Sequence, residues 1–163
     1  MPWHIVHSSK HGTARSYAEI LAADLGTGAH PLADPAPAGA PVILVAPIYA
    51  GRIPGLAELR RRSGEPAAAV LVGLMPVDSS RRAEVARTHL GDTPVFQVPG
   101  RIRWAELGLR ERVMMHTLGA ITRLRRRRTA TDEQFLALLG TDSGAVDPAA
   151  LDPVAAWAER ARR

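Results

Sequence analysis

Uninterrupted apolar runs alternate along the chain with stretches whose apolar residues recur at helical spacing, a pattern that predicts parallel strands crossed over by helices. Residues 3–7 read as a first strand. The loop 8–12 leads into a helix over 13–25, where Tyr17, Ile20, Leu21 and Leu25 share one face and Gly26 and Gly28 end the element. Residues 30–34 form a poor strand, because Pro31 removes a ladder donor, and belong at a sheet edge. A Pro/Ala/Gly connection over 35–41 precedes the clearest strand, 42–46, whose consecutive β-branched and Leu residues require burial on both faces. The loop 47–54 opens a helix that runs to Arg62. A fourth strand over 69–74, a helix capped within Asp78-Ser79-Ser80 and reaching Leu90, and a fifth strand over 93–98 follow. The last helix, 152–162, has Pro153 in its first turn.

The stretch from Pro99 to Pro148 is too long for a strand–helix connection and holds an amphipathic helix over 107–124 that ends in four consecutive arginines, Arg125 to Arg128. The expected organisation is one domain over 1–163 with an insertion at about 99–148. The expected fold is a doubly wound α/β sheet of five parallel strands in the order 2-1-3-4-5, with helices on both faces.

Composition narrows the chemistry. At 163 residues the chain can bury a full core without a disulfide or structural metal, and the absence of Cys excludes thiolate nucleophiles, thiolate zinc sites and iron–sulfur clusters. The six His show no HxH or HExxH spacing, so no metal site is expected. The beginning of the chain lacks the basic and apolar regions of a signal peptide, and no window reaches the ~18 apolar residues of a spanning helix. A soluble, cytoplasmic protein is therefore expected. Twenty-one basic against 16 acidic residues give a net charge of +5, and all the cations except Lys10 are Arg. Nucleic-acid readers interleave such charge with aromatics or a recognition helix, which are missing here, so no nucleic acid is expected. Arg60, Arg61 and Arg62 and the pair Arg81 and Arg82 read as solvated helix ends. Arg123 with Arg125 to Arg128 closes a helix with an apolar face and reads as a partner-docking or peripheral membrane element. Glu58, Glu65, Glu84, Glu106 and Glu111 are expected on solvated faces, and His4 and His7 as partly buried structural residues.

The loop after the first strand holds the most specific signal. Ser8, Ser9 and Thr13 offer hydroxyls, Gly12 permits close backbone approach, Lys10 adds charge, and the following helix directs its positive dipole end at the loop. It is neither GxxxxGK[ST] nor GxGxxG. In an open sheet of this order, ligands bind beyond the carboxyl ends of strands one and three. The loop after the third strand carries Pro47, Ile48, Tyr49, Ala50, Gly51 and Arg52, an aromatic ring among small residues, and the loop after the fourth carries Met75 and Pro76. A phosphate cradle beside an aromatic wall suits flavin mononucleotide.

These residues resemble the flavodoxin-like proteins, and most of all the menaquinone-dependent protoporphyrinogen IX dehydrogenase group. The matching pieces are His7 to Thr13 with Tyr17, Ala18 and Glu19; Ala46 to Ile53; and Gly100 to Trp104 leading into Arg110 to Met115. The resemblance implies that Ser9, Lys10, His11, Gly12 and Thr13 hold the FMN phosphate, mostly through main-chain donors, with the isoalloxazine against Pro47 to Arg52. It implies an oxidoreductase acting on an organic, planar or polycyclic small molecule, with a quinone or another redox partner as acceptor. The sequence identifies no catalytic residue, and it is compatible with a monomer or a homodimer. One position departs from the family pattern: Ala14 stands where relatives carry a hydroxyl, a loss of about 1.5–3 kcal/mol, or roughly ten- to hundredfold in affinity. Two alternatives follow: a flavodoxin-type electron carrier, against which the basic charge argues, and a flavodoxin-fold protein that has lost FMN. Within the insertion, Arg101 and Arg103 alternate with Ile102 and are expected to meet an anionic group of the substrate, with Trp104 stacking on a planar one.

Overall fold

The computed structural model describes residues 2–74, 77 and 79–162. Five strands, β1 (His4–His7), β2 (Ala29–Pro31), β3 (Val42–Pro47), β4 (Ala68–Gly73) and β5 (Val95–Pro99), form one sheet in the order β2-β1-β3-β4-β5. Each neighbouring pair is parallel, with His4 opposite Val42, Ile43 opposite Ala68 and Ala69 opposite Val95. This is the order expected above, the topology of the flavodoxin-like proteins. The edge strand β2 lies at 29–31 rather than 30–34, and Pro31 does not break its pairing, since the Leu32 N–H donates to the His7 carbonyl at 3.1 Å.

The pleat sends successive residues of the central strands to opposite faces, and both faces are covered. Ile43, Val45, Val70 and Val72 pack with Tyr17 and Leu21 of α1 (Thr13–Asp24) and with Val154 and Ala158 near the end of the chain. Leu44, Ala46, Ala69 and Leu71 face α2 (Leu56–Ser63) and α3 (Ser80–Leu90) through Leu56, Leu59, Val85 and Leu90. Uninterrupted apolar runs are what a two-faced strand needs.

The chain divides into two compact units: residues up to Gly100 together with those from Val146 on, and Arg101–Ala145. The second unit contains α4 (Leu109–Arg123) and α5 (Ala130–Leu138). Its two ends pair through an antiparallel bridge between Ile102 and Ser143, with hydrogen bonds of 2.8 and 3.0 Å. The sequence pattern did not reveal α5, although its start carries a capping box in which Thr129 and Asp132 bond each other's main-chain N–H. In the first unit a 3-10 turn over Pro148–Leu151, capped by Asp147, leads into α6 (Asp152–Ala161). Trp3 packs on Trp157 of α6 at 5.2 Å, and its ring N–H donates to the Ala158 carbonyl. Among the described residues, no helix is long and apolar enough to cross a membrane.

Candidate functional site

The loop after β1 continues the sheet for one step, as the Ser8 N–H donates to the Val45 carbonyl at 3.0 Å. It then turns on itself, with the Gly12 N–H donating to Ser9 Oγ at 2.9 Å. Gly12 adopts φ +82° and is the N-cap of α1, a left-handed conformation that costs an L side chain about 1–2 kcal/mol. A Cβ placed there would meet no atom of the described residues within 4 Å, so the backbone is open on that side. Among the described residues no side chain caps α1, and no acidic residue lies in its first turn. The first helical N–H groups have no intrahelical acceptor, and the dipole places partial positive charge among them. Lys10 and His11 are exposed beside this end, whereas Thr13 is buried and Ala14 is packed into the core beneath α1.

The loop after β3 lies against this cradle. Gly55, the N-cap of α2 at φ +88°, comes so close to the β1 loop that an added Cβ would sit 2.7 Å from Ser8 Oγ and 2.6 Å from Leu32 Cδ2. Only glycine permits that approach, and α2 also begins without a side-chain cap. Between Pro47 and Gly55 the chain makes a two-residue hairpin: Tyr49 and Arg52 exchange two main-chain hydrogen bonds of 2.9 Å around Ala50 (φ +48°) and Gly51 (φ +73°). Positive φ at both central residues makes a type I′ turn. Ala50 is the only non-glycine with positive φ among the described residues, a strained geometry of the kind that collects at ligand sites. His89 of α3 holds this hairpin, its ring Nε2 lying 2.9 Å from the Gly51 carbonyl. Tyr49 is 44% exposed on the turn, while Pro47 and Ile48 are half-buried.

The carboxyl ends of β4 and β5 are tied together by side chains. Arg82, read from the sequence as part of a solvated cluster, is instead buried, at 2% exposure. Its guanidinium donates to the carbonyls of Leu71 (2.6 Å), Val98 (2.8 Å) and Gly73 (3.4 Å) and to Gln97 Oε1 (2.8 Å). Burial draws its pKa down to about 10, opposed by Tyr17, so the group stays a cation at neutral pH. The misreading has a simple cause: Arg81 and Arg82 look alike in sequence, but Arg82 lies over Gly73, where a Cβ would stand 3.1 Å from its Cζ, and glycine makes the space. Arg82 is also in the first turn of α3, where a cation does not complement the dipole. From the other layer, the Tyr17 hydroxyl donates to the Pro99 carbonyl at 2.7 Å and accepts from the Asp147 N–H at 3.0 Å. Burial raises the pKa of that phenol. Gly100 completes the seam, donating to the Gly73 carbonyl at 2.7 Å. Ser79, within the cap triplet read from sequence, accepts from the Arg82 N–H and caps α3. Leu74 is exposed at the start of the next loop, and Met75, Pro76 and Asp78 lie outside the described residues.

Two histidines stand at the ends of β1. His4 stacks on His30 with ring centroids 4.5 Å apart, and neither His4 Nε2 nor His7 Nδ1 has a hydrogen-bond partner among the described residues. Burial lowers both pKa values, joined by His30 for His4 and by Arg15 for His7.

In the Arg101–Ala145 unit, Arg101 is half-buried, Ile102 buried and Arg103 exposed 3.9 Å from Glu106. The two arginines line a shallow cavity of about 230 Å³ with Asp142, Ser143 and Gly144. Trp104 is fixed at its main-chain N–H by Asp142 Oδ1 (2.6 Å), and its ring meets His116 edge-on at 5.4 Å. Glu111, expected on a solvated face, is buried and accepts from the Gly108 N–H at 2.9 Å, because it closes the first turn of α4. The structure thus brings Ser8, Ser9 and Gly12 together with the Pro47–Arg52 turn through Gly55, and groups Arg101, Arg103 and Trp104 in the second unit. Gly55, His89, Tyr17 and Arg82 were not read as site residues. Only the turn dipeptide Pro54-Gly55 carried a usable sequence signal.

A five-stranded parallel sheet in this order, with glycine-bearing loops meeting at the β1/β3 switch point, defines a flavodoxin-like protein. Residues 4–129 match the model of the flavodoxin domain family, well over half of the chain, and the chain belongs to that family. No curated protein matches it.

Proposed function

We propose that this protein binds FMN noncovalently and works as an oxidoreductase, passing electrons between an organic substrate and a quinone or other acceptor. The observation that carries the reading is the state of the β1/β3 switch point: Gly12 is left-handed and open to its surroundings, α1 is uncapped and without acid in its first turn, and the Tyr49–Arg52 turn stands on the neighbouring loop. These features fit a phosphorylated flavin. The Gly12 N–H is already used by Ser9, so main-chain N–H groups of residues 13–15 at the helix start are the donors left for a phosphate dianion, with Lys10 adding charge. Ser9 thereby shapes the loop. Tyr49, raised on a turn braced by His89, is the residue to contact the isoalloxazine. Bound FMN supplies the hydride and electron chemistry. The protein's share is binding, orientation and electrostatics.

The resemblance to the protoporphyrinogen IX dehydrogenase group narrows the substrate to a planar or polycyclic molecule. Arg101, Arg103 and Trp104 are the residues proposed to meet it, two guanidinium groups for carboxylates and an indole for a flat ring. The test is titration of flavin-free protein with FMN, followed by an anaerobic assay with a water-soluble quinone. Quenched flavin fluorescence and turnover above that of free FMN are expected, and Arg101→Ala with Arg103→Ala should raise KM or abolish turnover without changing FMN affinity. Failure to bind FMN, or turnover no faster than free FMN, overturns the reading.

A further inference from the structure

The Arg101–Ala145 unit carries nine arginines against five carboxylates, whereas the rest of the chain carries twelve basic against eleven acidic residues. Nearly all of the net charge therefore sits on this unit. Its longest helix, α4, also has an inverted surface. Glu111, Gly119 and Thr122 are the side turned inward, and a Cβ on Gly119 would collide with Leu139. The outward side exposes Leu109 (79%), Val113 (57%), Ile121 (53%) and Leu124 (83%). A helix in water normally shows the reverse arrangement.

We propose that this face of α4, with the arginines that follow it, is a docking surface for an anionic lipid bilayer. The inference does not depend on FMN. The apolar strip runs into Arg123, Arg125, Arg126, Arg127 and Arg128. Arg125 and Arg128 are paired with Asp132 and Glu133, while Arg123, Arg126 and Arg127 enter no ion pair among the described residues. Aliphatic side chains beside unpaired guanidinium groups suit a surface that is hydrocarbon a few ångströms beneath a layer of phosphate, where arginine stems lie along the apolar region and their heads reach the phosphates. The other occupants fit less well. A second copy would bring two units of excess positive charge together, and a nucleic acid has no use for a strip of exposed Leu, Ile and Val.

The full-length protein is tested by flotation with vesicles of phosphatidylcholine alone or with one-third phosphatidylglycerol. Binding to the anionic vesicles at low salt, lost at high salt and absent from neutral vesicles, is expected. Arg126→Gln with Arg127→Gln should weaken it by about fivefold per arginine. Ile121→Ser with Leu124→Ser should weaken it by at least about tenfold. All four side chains are exposed, and an unchanged Tm shows that each variant is folded. Four results overturn the proposal: no flotation with either vesicle, equal flotation with both, anionic binding that the apolar double variant leaves unchanged, or a dimer in solution that Ile121→Ser dissolves.

Discussion

The carboxyl edge of the sheet is finished in two ways. On the β4–β5 side, side chains close it: Arg82 bonds three strand carbonyls, Tyr17 takes the Pro99 carbonyl, Ser79 caps α3, and Gly73 and Gly100 allow the two strand ends to meet. On the β1–β3 side the two helices start at left-handed glycines without side-chain caps. A glycine N-cap gives up only about a few tenths of a kcal/mol against Ser or Thr, so these two starts forgo little stability while leaving their N–H groups uncovered, unlike α3 under Ser79 and α5 under Thr129. The difference separates structural from ligand-directed polar groups. Donors satisfied within the protein hold the fold, and donors left exposed at a helix start are available to an anion.

If that division is right, substitutions on the closed side cost stability and substitutions on the open side cost binding. The largest effect is expected at Arg82: Arg82→Met should lower the unfolding free energy by roughly 3 kcal/mol in urea denaturation, through lost hydrogen bonds to buried acceptors. Arg81→Met, one residue away but 62% exposed at its side chain, should stay within about 0.5 kcal/mol. Equal losses at both positions would erase the distinction. Next comes Gly12→Val, which puts a β-branched side chain at φ +82° and fills the open space before α1. FMN affinity should fall by about a hundredfold or more, near 2.7 kcal/mol, against a stability loss of about 1–2 kcal/mol.

Ala14→Thr sharpens the comparison, because the two readouts should move in opposite directions. The restored hydroxyl should tighten FMN by up to about tenfold, while two extra heavy atoms at a position only 3% exposed should lower Tm through overpacking. Ser79→Ala should cost about 1 kcal/mol of stability and leave FMN affinity unchanged. The smallest effect is the pH dependence expected from β1. His4 and His7 have lowered folded-state pKa values, so below about pH 6.5 the unfolded chain takes up protons that the folded chain does not yet bind. Stability should therefore fall as pH drops from 6.5 toward those lowered values and be insensitive above it, and replacing both with Gln should flatten that slope in urea titrations at successive pH values.

Much of this edge was legible in the sequence because it rests on local signals. The runs at 42–46 and 69–72 could only be strands buried on both faces, and the hydroxyl and glycine pattern of residues 8–13 marked the loop. What escaped depends on long-range packing. A guanidinium at 82 is indistinguishable from its neighbour until Gly73 opens a place for it, and a carboxylate at 111 looks solvated until it turns back to its own helix start. The Tyr49–Arg52 turn was hidden for another reason: Ala50 is a poor residue for positive φ, so nothing local announced a type I′ geometry.

The position of the phosphate distinguishes the open side of the edge from the closed side most directly. In two-dimensional amide NMR of isotopically labelled protein, titration with FMN should produce its largest shifts at the N–H groups of Thr13, Ala14 and Arg15, and riboflavin, which lacks the phosphate, should leave those three nearly unmoved while still perturbing Tyr49. Shifts of equal size with both flavins, or shifts gathered at the β4–β5 seam with residues 13–15 unchanged, would contradict it.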